Sequence, residues 1–557
     1  MKSKTATPPL PGDAPSTFKW VVALLFLHVV TSIRFSWDEM DFLSESLIRI
    51  NPDLMLLLAG GSLITLVVGR RAIVDHLLTI AVIFVPLYRF GYSLMPAFYG
   101  KDFDPYHDAL LTPALIHLLT QDLPDSIRPW VTGVALILTA LIAAGIYTLI
   151  FLAWRQEMRL IAAKRQLALP VTILGGAAFA VSTFLNEPRW PLNDSMLTKA
   201  ATYTADLWSE ERWQIERHFR EFEALSQERM EGVKPNVAGL KGADVYVLFL
   251  ESYGRAVLGS ESSRTAYNAW CEDFTNQIHE AGFTAASRFM FPSIRGGQSL
   301  LAHAEFLCGI EVENRRIFDM LLESDQIALP KTFAEAGYET INVQPAMTIR
   351  WPASKVFFGF TRDRFNDSLP YDGPWFPWGF MPDQYALQLI LDSEVSNAES
   401  PLFVQYIGVT SHAPYSRTPR YYKNWEDTQI TGAYDYGTDS KVFDIGWHNY
   451  VGHPEVEEAY LATIEYCLQT TIGLLGELDR RSMVIVIGDH QPPSLVRKLS
   501  AGQKPSKDVM CHIMSNDPDL MTPLRDHGFA AGLMPTEDSP SLSFAEFRSL
   551  FLRCYGR

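Results

Sequence analysis

The chain lacks any run of basic residues: its 47 Lys and Arg are outnumbered by 63 Asp and Glu, for a formal charge of −16. A nucleic-acid binder displaces counterions with basic stripes, so that class of function is excluded. Cysteine is scarce too. The five, Cys271, Cys308, Cys467, Cys511 and Cys554, include no CxxC pair, which removes the usual zinc and redox spacings. One or two disulfides are open to them if their region lies outside the cytoplasm; so is service as small buried hydrophobes. No small-residue cleavage site follows the first apolar stretch, so a removed signal peptide is not expected. The acidic balance suits a solvated domain rich in metal-ligand carboxylates, and solubility alone accounts for it equally well.

What the sequence does contain is divided by region. Five apolar segments, 18–35, 52–69, 76–96, 129–153 and 167–186, approach the roughly 20 residues needed to cross about 30 Å of hydrocarbon, and each is expected to span a bilayer. Lys and Arg are retained on the cytoplasmic side of such segments. Lys2, Lys4, Arg70, Arg71, Arg155, Arg159, Lys164 and Arg165 mark that side. Asp38, Glu39, Asp41, Glu45, Asp102, Asp104 and Asp108 fall in the alternate loops. The N-terminus is therefore expected inside the cytoplasmic (inner) membrane, and everything after about Asn186 outside it. Three parts follow: a five-span transmembrane domain over 1–191, a helical linker over 192–240, and an outer domain over 241–557. The linker carries Trp208, Trp213, Phe219 and Phe222 among charges. An amphipathic helix lying on the membrane surface reads this way, as does a helix packed on the outer domain; the first is preferred.

From Asp244 onward, short apolar runs of strand length alternate with helical stretches such as 264–280 and 456–479. The runs are VYVLFL, TINVQ (340–344), LFVQYIGV (402–409) and MVIVIG. The fold class expected is α/β, with a largely parallel central sheet flanked by helices. Ligands in such folds gather at the carboxyl ends of the strands. There the sequence places Glu251-Ser252-Tyr253, Thr410-Ser411-His412 and Asp489-His490. Oxygen and nitrogen donors together suit zinc or manganese better than calcium. Upstream, Gly296-Gly297 allows close backbone approach, and Ser299 opens a helical pattern through Leu300, Leu301, Ala304 and Phe306. Two identities fit Ser299 equally: an N-cap, or a nucleophile whose phosphorylated adduct rests on exposed N–H groups. His303 lies one turn later on the same face. His512, inside VMCHIMS, is either a further ligand or a structural residue, with the second favoured.

Four segments, FLESYG (249–254), GGQSLLAHAEF (296–306), TSHAPY (410–415) and IGDHQPP (487–493), together carry a family resemblance. In this order, behind the apolar segments, the chain resembles the sulfatase-like branch of the alkaline phosphatase superfamily. Within it the chain resembles the lipoteichoic acid synthases and the similar phosphoglycerol and phosphoethanolamine transferases. The resemblance implies that Glu251, Asp489 and His490 bind one divalent metal ion, Mn or Zn, with Ser299 as fourth ligand and nucleophile. It implies that His412 contacts the substrate phosphate or the leaving oxygen, and that Arg350 and Trp351 bind the head-group phosphate; His303 is expected to reach the same ligand from its spacing to Ser299. The chain departs from the family pattern twice: Ser299 stands where Thr is usual, and Gln491-Pro492-Pro493 replaces the usual Gly.

The function implied is metal-dependent transfer of a phospholipid head group, phosphoglycerol or phosphoethanolamine, to a glycan or glycolipid through a phospho-serine. The partners would be a membrane phospholipid donor, that acceptor and the lipid bilayer. Two rivals stand beside it. A phosphodiesterase or sulfatase-like hydrolase would resolve the same adduct with water, although no C/S-x-P-x-R motif surrounds Ser299. A catalytically silent membrane scaffold would keep the fold without the chemistry.

Overall fold

A computed structural model describes residues 17–32, 50–69, 71–99, 103, 105, 128–185, 195–209 and most of 211–556. Within the last stretch, 348–350, 375, 377–380, 436, 438–440, 447–449, 451, 493–494, 496–505 and 538 lie outside the described residues. The chain divides into two units, residues 1–96 with 102–212, and residues 97–101 with 213–557.

The first unit is helical: α1 (Thr17–Ser32), α2 (Pro52–Val67), α3 (Ala72–Tyr99), α4 (Arg128–Ala163), α5 (Ala168–Leu185) and α6 (Met196–Ser209). Among the described residues, two helices are long and apolar enough to cross a membrane, over Ala72–Tyr92 and Gly133–Ala163. The expectation of five spans is corrected here. Among the described residues the other three segments form shorter apolar helices, over Phe18–Ser32, Pro52–Val67 and Ala168–Val181. Helix α1 and helix α2 have 16 residues each, about 24 Å at 1.5 Å per residue. Helix α2 begins where the Asn51 side chain accepts from the N–H groups of Asp53 and Leu54, with Pro52 at the first turn. It ends at Val68 and Gly69, the latter at φ 78°. Helices α2 and α5 touch backbone to backbone: a Cβ at Gly175 would lie 2.4 Å from the Met55 carbonyl oxygen. The buried Asp53 carboxylate accepts from Ser195 Oγ (2.6 Å) and the Met196 N–H (2.8 Å), which starts α6. Large apolar side chains remain outside, among them Ile137, Leu141 and Ile142 of α4, each more than 60% exposed.

In the second unit, helix α7 (Glu211–Arg229) leads into the sheet, and its Phe219 joins the core below that sheet. Among the described residues the main sheet has nine strands in the order β10-β2-β9-β8-β1-β5-β3-β4, with β11 (Leu542–Ser543) alongside β2, while β6 (Arg417–Thr418) and β7 (Lys441–Val442) pair separately. The ranges that matter here are β1 (Asp244–Leu250), β2 (Thr284–Phe291), β3 (Glu339–Gln344), β4 (Arg362–Phe365), β5 (Leu402–Gly408), β8 (Ser482–Gly488), β9 (Val509–Ser515) and β10 (Ala530–Ala531). Strands β8, β1, β5, β3 and β4 are mutually parallel. Strand β9 runs antiparallel to both β8 and β2, and β10 antiparallel to β2. The sheet is thus mixed, which corrects the largely parallel expectation. Direction is not written into the residues of β9: VMCHIMS is buried on both faces, as β1 and β8 are, and a run buried on both faces has the same composition whichever way it points.

Alternate residues of β1 serve two cores. Val245, Val247 and Phe249 face one, Tyr246, Leu248 and Leu250 the other. The first is covered by helices α9 (Ser299–Cys308) and α11 (Phe544–Tyr555). The second is covered by α8 (Glu261–Glu280) and α10 (Val456–Gly476). Phe306 of α9 stacks on Phe547 of α11 at 4.1 Å between ring centroids, so the helix that begins at Ser299 is anchored by its buried half. None of the five cysteines forms a disulfide, and Cys308, Cys467 and Cys511 are buried.

Candidate active site

The register of the parallel strands builds the site. Leu250, the last residue of β1, pairs with Gly488 of β8 on one side and with Gly408 of β5 on the other. Parallel neighbours lie about 4.8 Å apart, so the residues that follow, Glu251 and Asp489, emerge side by side. Glycine at 488 is required by the turn that follows β1: a Cβ there would fall 2.0 Å from the Tyr253 carbonyl oxygen. Ser252 turns with φ 57° and donates its N–H to Asp489 Oδ1 at 2.8 Å, as does the N–H of His490. Two backbone donors on one oxygen leave Oδ2 of Asp489 turned toward the other site residues.

Ligand atoms of Glu251, Asp489 and His490 lie within 4.8 Å of one another. His490 Nε2 is 3.3 Å from Glu251 Oε1 and 3.8 Å from Asp489 Oδ2. Its Nδ1 sits 2.9 Å from the Gln491 carbonyl oxygen. A carbonyl only accepts, so that nitrogen carries a proton, which leaves Nε2 as the nitrogen a metal would take. All three side chains are buried. Burial, then the neighbouring Asp489 charge, pushes Glu251 up to about 7. Burial works against ionisation of Asp489 and His490 also, but each is overruled by its partner: His490 holds Asp489 well below the usual carboxylate range, and the two carboxylates raise His490. Two buried carboxylates this close call for a positive charge between them. A divalent cation with oxygen and nitrogen ligands satisfies that need, so the residues fit the group.

Ser299 joins them. Gln298, in the left-handed region at φ 61°, occupies the N-cap position of α9 and makes no side-chain cap bond; Ser299 is the first helical residue. Its Oγ lies 3.1 Å from Glu251 Oε2 and 3.2 Å from His490 Nε2. The hydroxyl therefore faces the ligand cluster and does not cap the helix. It also sits where the unpaired N–H groups of a helix start favour an anionic phosphate.

The other sequence-derived candidates divide. His303 is buried against Phe249, 4.2 Å between ring centroids, with Nε2 3.7 Å from Asp489 Oδ2 and without a hydrogen bond to the described residues. His412 lies four residues beyond β5. Its Nδ1 sits 2.7 Å from the Ala413 carbonyl oxygen, and burial lowers it to about 4, which leaves the ring neutral. Trp351 packs on Phe358, 5.2 Å between ring centroids, and is half-buried. Arg350 lies outside the described residues. His512 is structural: Nε2 meets the Tyr253 hydroxyl at 2.8 Å and Nδ1 the Ser287 hydroxyl at 2.7 Å, so neither nitrogen is left for a metal.

Sequence reasoning missed the residues that hold the site. Ser411 Oγ donates to the Glu251 carbonyl at 2.6 Å, and the Tyr460 hydroxyl to the Ser252 carbonyl at 2.8 Å. The buried Asp383 carboxylate accepts from the Tyr406 hydroxyl (2.7 Å) and the Thr410 N–H (3.1 Å), fixing the turn that carries His412. Burial raises Asp383. Glu305 is fully buried within α9, where burial pushes it up to about 7. Its signal was a charge inside the apolar pattern LLAHAEFLCG.

Residues 247–508 match the sulfatase family model. The second unit accordingly carries a sulfatase-like domain over those residues, as the resemblance implied. Among solved structures the chain is similar to the integral membrane lipooligosaccharide phosphoethanolamine transferase A from Neisseria meningitidis (14% identity, TM-score 0.47, covering 96% of this chain and 95% of that one). It is also similar to the lipoteichoic acid synthase LtaP from Listeria monocytogenes (11%, TM-score 0.36, covering 58% and 76%). A third is the phosphoglycerol transferase GacH from Streptococcus pyogenes (14%, TM-score 0.33, covering 61% and 92%). No curated protein matches the chain.

Proposed function

We propose that the chain is a membrane-anchored phosphotransferase that moves a phospholipid head group, phosphoglycerol or phosphoethanolamine, onto a glycan or glycolipid hydroxyl. The observation that carries this reading is the aim of Ser299 Oγ at the convergence of Glu251, Asp489 and His490. Ser299 Oγ attacks the phosphorus of the lipid diester. The bond to the diacylglycerol oxygen breaks, and that oxygen takes up a proton in exchange for the one Ser299 Oγ gives up on attack. The acceptor hydroxyl then attacks the phospho-serine, the Oγ–P bond breaks and Ser299 is restored. Overall, the acceptor's proton is exchanged for the substituted phosphate, and diacylglycerol leaves. The N-terminal N–H groups of α9 hold the phosphoryl oxygens. His412, kept neutral by burial, donates or accepts at the departing or arriving oxygen. Manganese or zinc bound by Glu251, Asp489, His490 and Ser299 would supply charge neutralisation and a lowered hydroxyl pKa. Trp351, Arg350 and His303 are proposed to contact the head group.

The exposed apolar faces of α4 suit hydrocarbon better than water, and the basic flanks of the apolar segments favour an outer catalytic unit. With an inner N-terminus, that location requires an odd number of crossings, so at least one of the three shorter helices must cross as well. Chemical labelling of single cysteines introduced at Glu231 and Asp526 in intact cells tests this: labelling only after permeabilisation contradicts it.

The enzymatic reading is tested in proteoliposomes loaded with Mn²⁺ and labelled phosphatidylglycerol or phosphatidylethanolamine. Diacylglycerol release, together with a Ser299 peptide heavier by the transferred group, supports it. Release of head-group phosphate to water, equal with and without glycan, would make the protein a hydrolase. A wild-type protein that binds metal and leaves both lipids intact would sink the reading.

A further inference from the structure

Between the end of β2 at Phe291 and Ser299 the chain runs Pro-Ser-Ile-Arg-Gly-Gly-Gln. Gly297 and Gln298 are both left-handed, at φ 63° and 61°. Two consecutive glycines hold no conformation by themselves, yet the hydroxyl they deliver must stand within a fraction of an ångström of its place. The loop is held at Ser293. The Ser293 N–H donates to Glu305 Oε2 at 3.0 Å, and the Ser293 carbonyl accepts from Lys507 Nζ. The same Glu305 oxygen accepts the Val312 N–H at 3.3 Å, from the chain leaving α9 beyond Gly309. Its other oxygen, Oε1, is buried without a partner among the described residues. A buried carboxylate is a costly acceptor for two backbone donors, and here only one of its oxygens is used.

We propose that Glu305 is a positioning residue for the reaction: a clamp that ties the entry and the exit of α9 together and so sets the place of Ser299 Oγ. This rests on the transferase reading above. The clamp depends on the reach of one acceptor oxygen and not on charge. Glu305→Gln keeps that reach with its amide oxygen and leaves the NH₂ on the unpartnered side. Glu305→Asp keeps the charge and falls one methylene short.

The full-length protein is assayed in Mn²⁺-loaded proteoliposomes of phosphatidylglycerol and phosphatidylethanolamine. Metal content, thermal unfolding and Ser293 amide exchange are followed in parallel. The expected result is kcat for Glu305→Gln within about threefold of wild type. For Glu305→Asp and Glu305→Ala, kcat falls about 10- to 100-fold at unchanged KM and metal content, the scale of a misplaced reacting group. Exchange at Ser293 should quicken at least about tenfold in the Asp and Ala variants only. The inverse order, Asp active and Gln inactive, would assign the role to charge and overturn the clamp. So would folded Asp and Ala variants with wild-type rates, a rate loss matched by loss of metal, or failure of both to fold. Should wild type itself show neither turnover nor a Ser299 adduct, the transferase reading fails; the exchange comparison then still decides the clamp.

Discussion

Two histidines of the same sheet make an instructive pair. His490 follows the parallel strand β8, and His512 lies within the antiparallel strand β9 beside it. Both are buried. His512 has a hydroxyl on each nitrogen, so burial lowers it to about 3 and it stays neutral. His490 has one nitrogen on a backbone carbonyl and the other facing two carboxylates, which raise it. The parallel half of the sheet ends in register and spills its polar residues into one place. In the antiparallel half, His512 is satisfied internally by the Tyr253 and Ser287 hydroxyls. Chemistry therefore belongs to strand ends that stop together, and a histidine inside a strand is part of the scaffold.

The sharpest break of this comparison is Ser299→Ala. Removing a nucleophile costs about 10⁴- to 10⁶-fold in kcat, so diacylglycerol release should vanish while bound metal stays near stoichiometric by elemental analysis. Metal loss in that variant would make Ser299 chiefly a ligand. Next comes Glu251→Ala, expected to reduce both bound metal and turnover about 10²- to 10³-fold; a His512→Ala protein should keep its metal. Equal metal loss from both would erase the distinction between the two halves of the sheet.

A third effect is proton-linked. Glu251 sits at about 7 in the metal-free fold, against 4.5 as its ordinary value. A carboxyl raised on folding binds its proton more tightly in the native state, so its contribution to stability is present at low pH and is lost as pH rises from about 4.5 through 7. Glu305, also at about 7, acts in the same direction. Added Mn²⁺ competes with the Glu251 proton. The rise in unfolding temperature on adding Mn²⁺ should therefore be several degrees greater at pH 7.5 than at pH 5.5, on the order set by a few kcal/mol in a domain this size. A rise independent of pH would place the cation elsewhere. The smallest effect on activity is expected from His512→Ala. It orphans the Tyr253 and Ser287 hydroxyls and should cost about 1–3 kcal/mol of stability, read by denaturant melts, with kcat within about twofold.

Much of the site was legible because its residues follow strands, and strands of this kind announce themselves as apolar runs. Glu251, Asp489 and His490 could be picked from VYVLFLES and MVIVIGDH for that reason. Ser299 could be placed at a helix start but not assigned between cap and nucleophile, since the two differ only in where a hydroxyl points. Strand β2, TAASRFMF, gave no comparable signal: Thr284, Ser287 and Arg288 interrupt its apolar pattern. The clamp of Glu305 on Ser293 and the hold of Asp383 on Thr410 were illegible, because each joins a side chain to a backbone N–H that any residue supplies.

By itself the amino-acid order determined where apolar runs lie, how long they are, and which polar residues stand at their ends, because burial acts locally on side-chain type. Only the folded chain decided that β9 runs backward, that the helix of the second apolar segment stops at Val67, and that Gln298 takes the cap so that Ser299 turns toward Glu251. Those outcomes depend on strand register, helix termini and single hydrogen bonds, which arise between residues far apart in the chain and leave no periodic trace within it.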